Sequence, residues 1–469
     1  MDTLKATLLK SWSRLASILG NPSQKAPLCR LNHFRNTEEP DLYTTGGFHR
    51  VSLGDTFDHG RYAILRKLGY GQYSTVWLAQ DFKHKKYVTL KLLRADCYGG
   101  PHDIFEREIL SKISDMSRNS THDGARHILP LIGDFTHTGP NGDHVCLVFD
   151  VLGHHLDFQC AKYEDGRLPV RAVKLIARQL LLGLDFLHRE CGVIHTGMGI
   201  VSNTFVLYFL TGRIFPIDLK PTNILLELEN PDRVISRYLE KVPPLMDTQG
   251  NAEVPLREVI TTPLISEMEA PRIRIIDFGV ASWRDNHLSE QIQSSALRAP
   301  EVTIGAPWDT GVDIWSLGCL IMELVQGIVP FSGEASERGT WTAEDDRLAR
   351  TIEILGPFPL ELLRKGSRTP DLFDEKGDLL RIPNMKSTSL ERLLNGTTKP
   401  FLKPDDMPDA EVPIFINFLR ACLRLILSTG VQRQSCFSMN GSDHDAIEWL
   451  KVERIEGSYE TMHTSIRTQ

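Results

Sequence analysis

Gly192-Val193-Ile194-His195-Thr196 and, further on, Asp218-Leu219-Lys220-Pro221-Thr222-Asn223-Ile224-Leu225-Leu226 are the two stretches whose reading decides the fold of this chain. Joined end to end, they run from one short apolar strand pattern through His-Thr-Asp-Leu-Lys-Pro-Thr-Asn into another. A carboxylate, an ammonium and a carboxamide would then sit together on a loop between two strands. Residues 197–217, 21 in number, keep the two halves apart.

Outward from this loop the chain changes character. On its N-terminal side, alternating apolar patterns at 62–68, 75–79, 87–92 and 145–151, divided by Gly- and Lys-rich turns, predict strands of an antiparallel sheet. A helical pattern at 104–113 interrupts them. From about residue 168 the period becomes helical, at 173–188, 315–325, 345–355 and 414–425. The order predicts a bilobal α+β protein: a small antiparallel-sheet lobe with one key helix, then a larger helical lobe. Residues 1–45 read as a tail, 46–153 as the small lobe and hinge, 154–450 as the large lobe and 451–469 as a second tail. Residues 227–272, with Pro231, Pro243, Pro244, Pro255 and Pro263, read as a mobile, exposed spacer, far longer than the roughly 4–6 residues of an ordinary connection.

Composition bounds the function. The chain has 469 residues, 41% of them hydrophobic, and a formal net charge of -7. That charge argues against a protein that coats nucleic acid or a membrane surface and permits a basic partner. Eight cysteines are scattered without a C-x-x-C pair or zinc-ligand spacing, as reduced thiols would be. No apolar run approaches the roughly 18–20 residues that span a bilayer; residues 205–210 are the longest candidate. The first 36 residues hold six Lys and Arg but one acid, Asp2, with Leu4, Leu8, Trp12, Leu15 and Leu19 at near-helical spacing. This leaves two readings open, a basic disordered tail and a mitochondrial presequence.

Four further motifs stand in order around the split loop. Gly69-Tyr70-Gly71-Gln72-Tyr73-Ser74-Thr75-Val76 lies between two strand patterns, and its glycines let backbone N–H groups approach phosphates with no Cβ in the way. A strand rather than a helix follows, which disfavours a dinucleotide fold. Val88-Thr89-Leu90-Lys91 supplies a strand lysine, and Glu108 in the next helix is the carboxylate expected to fix it. Asp277-Phe278-Gly279 follows the strand pattern 273–276, and Ala299-Pro300-Glu301 and Asp313-Ile314-Trp315-Ser316-Leu317-Gly318 come after it.

This ordered set resembles the protein kinases. Within them, Gly46-Gly47-Phe48-His49-Arg50-Val51-Ser52-Leu53-Gly54-Asp55, Ser74-Thr75-Val76-Trp77-Leu78, the Gly153-His154-His155-Leu156 run and His195-Thr196 look like the serine/arginine-rich protein kinase (SRPK) family, over residues 46 to about 425. The resemblance implies transfer of the ATP γ-phosphate to serines of Arg-Ser-rich proteins, with ATP and Mg²⁺ as cofactors. It implies a monomer in cytoplasm and nucleus, without nucleic-acid or membrane partners. By it, Asp218 is the base, Lys220 stabilises the transferring phosphoryl, and Asn223 and Asp277 hold the metal. Lys91, fixed by Glu108, grips the phosphates. Leu68, Gly69, Gly71, Ser74 and Val76 cover the nucleotide, Phe149 is the gatekeeper, and the backbones of Asp150 and Leu152 bond adenine. Thr89 stands where alanine is usual and puts a hydroxyl near the adenine. Thr196 replaces the arginine that holds an activation-loop phosphate in most kinases, which implies constitutive activity. Glu344, Asp345 and Asp346 are either a docking site for Arg-rich segments or an acidic helix N-terminus.

Two departures bear on activity. Residues 197–217 have no kinase counterpart. A Gly197-Met198 junction encoded GGT-ATG and an ATA codon for Ile217 would furnish donor- and acceptor-like sequences whose excision restores His195-Thr196-Asp in frame, so the segment reads as a retained intron, with a genuine family-specific insertion as the alternative. The loop as written predicts strong loss of activity, and a catalytically impaired, kinase-like scaffold is the alternative function. Beyond Leu425 the expected Asp/Asn-Pro-x-x-Arg, whose Arg would pair with Glu301, is missing; Arg433 is out of register.

Overall fold

In the computed structural model the described residues are 38–99, 103–196, 223–249, 252–258, 260, 268–425 and 448–451. Asp218, Lys220, Arg433, the segment 197–217 and most of both expected tails lie outside them.

The alternating patterns of the first half build one six-stranded sheet in the order β1-β2-β3-β4-β6-β5. Its strands are β1 (Thr56–Phe57), β2 (Tyr62–Tyr70), β3 (Ser74–Asp81), β4 (Lys86–Leu93), β5 (Gly133–Gly139) and β6 (Gly142–Phe149), each antiparallel to its neighbour. Period-two alternation gives the sheet two buried faces. Trp77, Ala79, Val88, Leu90, Cys146 and Val148 pack outward under Val51 and Phe57 of the preceding segment. Leu147 and Phe149 face inward into a core they share with Ile109, Leu110 and Ile113 of helix α1 (Glu106–Asn119).

The large lobe is organised around α2 (Val170–Asp185) and a second helix, Gly311–Gln326, in which every residue but Glu323 is buried. A helix apolar on all sides is a core helix. α2 continues as a π-helical turn, Phe186–Cys191, ended by Gly192 at φ 65°, and so hands the chain directly to β7 (Val193–Ile194). Two small antiparallel pairs then carry the loop's neighbours: β8 (Ile224–Leu226) with β11 (Ile273–Ile275), and β7 with β12 (Ser282–Trp283). No helix among the described residues is long and apolar enough to cross a membrane.

Two boundaries differ from expectation. The spacer 227–272 contains helix α3 (Pro231–Lys241) and a hairpin of β9 (Met246–Gln249) and β10 (Ala252–Pro255), packed on the small lobe. Asp232 accepts the Tyr87 N–H (3.2 Å), and Ser236 bonds the Tyr87 hydroxyl (3.1 Å). Arg66 donates to the Val242 carbonyl (2.9 Å), and its guanidinium is ion-paired with Glu258 (3.0 Å). Pro231 reads as a breaker but occupies the first turn of α3, where its missing N–H costs nothing. Ile235 is fully buried, in a cluster with Leu78, Val151, Leu228 and Ile260. The small lobe also begins before residue 46. Glu38 is buried and paired with buried Lys67, and Pro40–Leu42 forms a short 3₁₀ turn. Glu and Lys side chains are rarely buried unless paired, and this pairing allows both inside.

The longer helices that complete the described large lobe are α4 (Gly311–Gln326), α5 (Ala343–Leu355) and α6 (Val412–Cys422), with short helical turns at Leu156–Cys160, Pro300–Thr303, Leu360–Leu363, Thr369–Leu372 and Leu390–Leu394.

Candidate active site

The turn between β2 and β3 is closed by a bond from the Gly71 N–H to the Ser74 carbonyl (2.8 Å). Val76 pairs with Lys91 across β3 and β4, and Thr89 with Phe149 across β4 and β6. Val76, Thr89, Lys91 and Phe149 therefore share the inner face, beneath the glycine-rich turn. The hinge after β6 is fixed by the large lobe: the Gly153 N–H donates to Leu226 (2.8 Å), and the Leu226 N–H to His154 (2.9 Å). Asp150 turns its side chain outward to Lys86 (2.8 Å), leaving its backbone for the cleft.

Lys91 Nζ lies 2.5 Å from Glu106 Oε1 and 3.1 Å from Asp277 Oδ1. Burial opposes the charge on Lys91, but Asp277 and Glu106 outweigh it and hold the ammonium above its ordinary range. The partner is thus Glu106 and not the expected Glu108, which is exposed and meets the Tyr98 hydroxyl at 3.4 Å. The two glutamates are about 200° apart around the helix at 3.6 residues per turn. Glu106 stands on the stripe of Ile109, Leu110 and Ile113, three, four and seven residues before them; Glu108 does not. That stripe was legible in the sequence and identifies Glu106.

Asn223 and Asp277 come together because β8 pairs with β11: Ile224 faces Ile275, and the Ile276 N–H donates to the Asn223 carbonyl (3.0 Å). Asp277 adopts φ 65° and keeps its side chain 42% exposed, while Phe278 is buried edge-on against His195 (5.2 Å). A carboxamide and a half-exposed carboxylate are hard oxygen donors, a fit for Mg²⁺, which takes its other ligands from phosphate and water.

Asp313 of α4 is the anchor that the motif reading left without a role. Its carboxylate accepts from His188 Nε2 (2.8 Å), the His195 N–H (2.8 Å) and the Thr196 N–H (3.1 Å). His195 Nε2 donates to the Ile276 carbonyl (3.0 Å), and Thr196 Oγ1 to the Val280 carbonyl (2.5 Å). The stem of the catalytic loop is therefore bolted both to the core helix and to the D-F-G strand. Thr196 is buried and bonded to backbone, so it offers no cation to an activation-loop phosphate.

Each member of the acidic trio is paired with an arginine of the chain. Asp345 forms a capping box with Thr342 and pairs with Arg381 (2.7 Å); Glu344 pairs with Arg368 (2.7 Å) and Asp346 with Arg350 (2.7 Å). The docking expectation gives way to the helix N-terminus, where carboxylates complement the dipole.

A small antiparallel sheet over a helical lobe, with an aligned Lys–Glu–Asp set in the cleft between them, defines a protein kinase. The protein kinase domain family matches residues 206–397. Protein kinase dsk1 of Schizosaccharomyces pombe is 30% identical over 449 residues, covering 77% of this chain and 77% of that protein. The serine/threonine-protein kinase SRPK of Physarum polycephalum is 32% identical, covering 73% and 78%, and SRSF protein kinase 3 of Mus musculus is 27% identical, covering 76% and 83%. The chain belongs to the SRPK family of ATP-dependent protein serine/threonine kinases.

Proposed function

We propose that this kinase transfers the γ-phosphoryl group of Mg·ATP to serines of Arg-Ser-rich proteins. The observation that carries the reading is Lys91 held between Glu106 and Asp277, which aligns a cation with the edge of the metal site. Lys91 would grip the α- and β-phosphates, while Asn223 and Asp277 would hold Mg²⁺, which neutralises phosphate charge when bound. Asp218 would orient the serine hydroxyl and Lys220 would face the transferring group; catalysis by such a set is positioning and charge neutralisation. Support for the substrate class comes from the name of the mouse relative, which is that of a kinase of SRSF proteins, and from the net negative charge, which suits Arg-rich chains. A second reading, a nucleotide-binding scaffold with little turnover, is favoured by the 21 residues between Thr196 and Asp218.

The test is phosphate transfer from labelled ATP to an Arg-Ser repeat peptide by wild type, Asp218→Asn and Asp277→Asn. Wild-type labelling that falls on the order of a hundredfold in each variant, and that is lost when the peptide's arginines become alanines, supports the enzyme reading. ATP binding without labelling supports the scaffold. Labelling that ignores both variants overturns the site assignment.

A further inference from the structure

Lys67 stands two residues before Gly69, where β2 delivers the chain to the glycine-rich turn. Irregularities in the β2–β3 register fall on both sides of it, between Ile64 and Arg66 and between Lys67 and Gly69. Bulges bend a strand and weaken its ladder, so β3 alone fixes this end of β2 poorly. Two segments outside the strand meet at Lys67 instead. Its ammonium, 1% exposed, is paired with the Glu38 carboxylate, 29 residues upstream. Its carbonyl accepts the Glu258 N–H at 2.8 Å, beside a parallel bridge between Lys67 and Arg257.

The surroundings make this a directed tie. Lys67 Nζ lies 5.6 Å from the ring centroids of both Tyr70 and Trp77, and Tyr43 donates its hydroxyl to Glu38 at 3.1 Å. Burial lowers the Lys67 pKa and Glu38 opposes that shift. An ammonium so enclosed has no water to turn to; without Glu38 the charge is stranded or lost. Glu258 is equally committed, to Arg66, to the Tyr238 hydroxyl (3.2 Å) and to the Leu245 N–H (2.6 Å). One residue thus receives the N-terminal segment through its side chain and the spacer through its backbone.

We propose that Lys67 is a positioning residue for the nucleotide phosphates: tied to Glu38 and Glu258, it sets the height of the glycine-rich turn over them. This rests on the kinase reading. Lys67 touches no nucleotide; it acts through Gly69 and Gly71. The hinge side of the cleft, where adenine would bond, is tied to the large lobe by the Gly153 N–H to Leu226 (2.8 Å) and the Leu226 N–H to His154 (2.9 Å), bonds that do not involve Lys67.

The test compares Mg·ATP with adenosine, titrated by calorimetry into the full chain as wild type and as Glu38→Gln. The expected result is a loss of about tenfold in ATP affinity, about 1.4 kcal/mol, with adenosine changed less than about twofold. Equal losses for both ligands, or none, overturn the proposal. A Glu38→Leu/Lys67→Met double variant separates a directed tie from simple filling of space, because apolar replacement of a whole buried pair keeps stability. ATP affinity that stays low in the double variant supports the proposal, and wild-type affinity there overturns it; this arm decides alone if Glu38→Gln does not fold. A wild-type chain that binds neither ligand overturns the kinase reading itself.

Discussion

Lys91 between Glu106 and Asp277 makes a demand on each partner that can be tested singly. Glu106 is buried, and burial pushes its carboxyl pKa up against the pull of Lys91. Glu106→Gln removes the charge that offsets a buried ammonium and frees Lys91 to move. Since an angstrom of misplacement costs roughly a hundredfold in rate, kcat/KM of Glu106→Gln is expected to drop about that far, while Glu108→Gln keeps its activity within about twofold. Steady-state kinetics of the pair decide it, and a larger loss in the Glu108 variant would falsify the assignment. The glutamate that serves Lys91 was legible in the sequence through the helical stripe, and motif spacing alone pointed to its neighbour. Asp313 was harder to see. Its quoted motif fixed its position, but its function lies in three hydrogen bonds to residues more than a hundred positions away, which no local pattern encodes.

At the scale of elements, the small lobe depends on segments that flank its sheet. His49 meets His137 edge to face (4.5 Å between ring centroids) and lies 5.1 Å from His144, with Phe57 also packed edge-on against it (5.8 Å). Burial, reinforced by the neighbouring His137 and His144, lowers the His49 pKa from 6.5 to about 4; Asp55 opposes weakly. Also facing the cluster are Asp143, near His144, and the Leu93 carbonyl, which accepts the His144 ring N–H. The folded state keeps these rings neutral while the unfolded chain binds protons below 6.5. Stability is therefore full above the unfolded value and falls as pH drops from about 6.5 towards about 4. The melting temperature should decline more steeply between about pH 7 and about pH 5 in wild type than in His49→Phe; parallel curves would count against the cluster. A second element, α3, makes its own prediction. Ile235 fills a cluster with Leu78 and Val151 at the hinge, so Ile235→Ala should cost about 2–4 kcal/mol in denaturant unfolding, and a loss below about 1 kcal/mol would mean that α3 is not docked. The strands β2, β3, β4 and β6 and the long helices were legible because their apolar residues recur at the strand or helix period over whole segments. The spacer was not, because α3 is polar on most of its surface, begins with proline and buries one isoleucine against a distant part of the chain.

For the whole molecule the question is what the interval between Thr196 and Asp218 leaves intact. The nucleotide half of the site hangs on the small lobe and on the D-F-G strand: Lys91 on Glu106 and Asp277, the glycine-rich turn on β2 and β3, and Asn223 on the β8–β11 pair. None of these anchors runs through residues 197–217. In the proposed mechanism the phosphoacceptor half would depend on Asp218, which in an uninterrupted loop would stand next to Thr196, and Thr196 is pinned to Asp313 and Val280. With 21 residues between them, Asp218 is not joined directly to that pinned stem. Each doubling of a connection's length costs roughly 0.6 kcal/mol to close, and a base that must lie within hydrogen-bond reach of its substrate is sensitive to any positional slack. The expected outcome is therefore asymmetric. Deleting residues 197–217 should leave Mg·ATP affinity within about threefold of the full chain and raise kcat on an Arg-Ser peptide by about a hundredfold. Equal turnover from the two proteins would mean that the loop reaches its geometry despite the added chain, with the base held by its C-terminal side, where Asn223 is already fixed. A fall in ATP affinity on deletion would mean that the two halves of the site are not anchored separately.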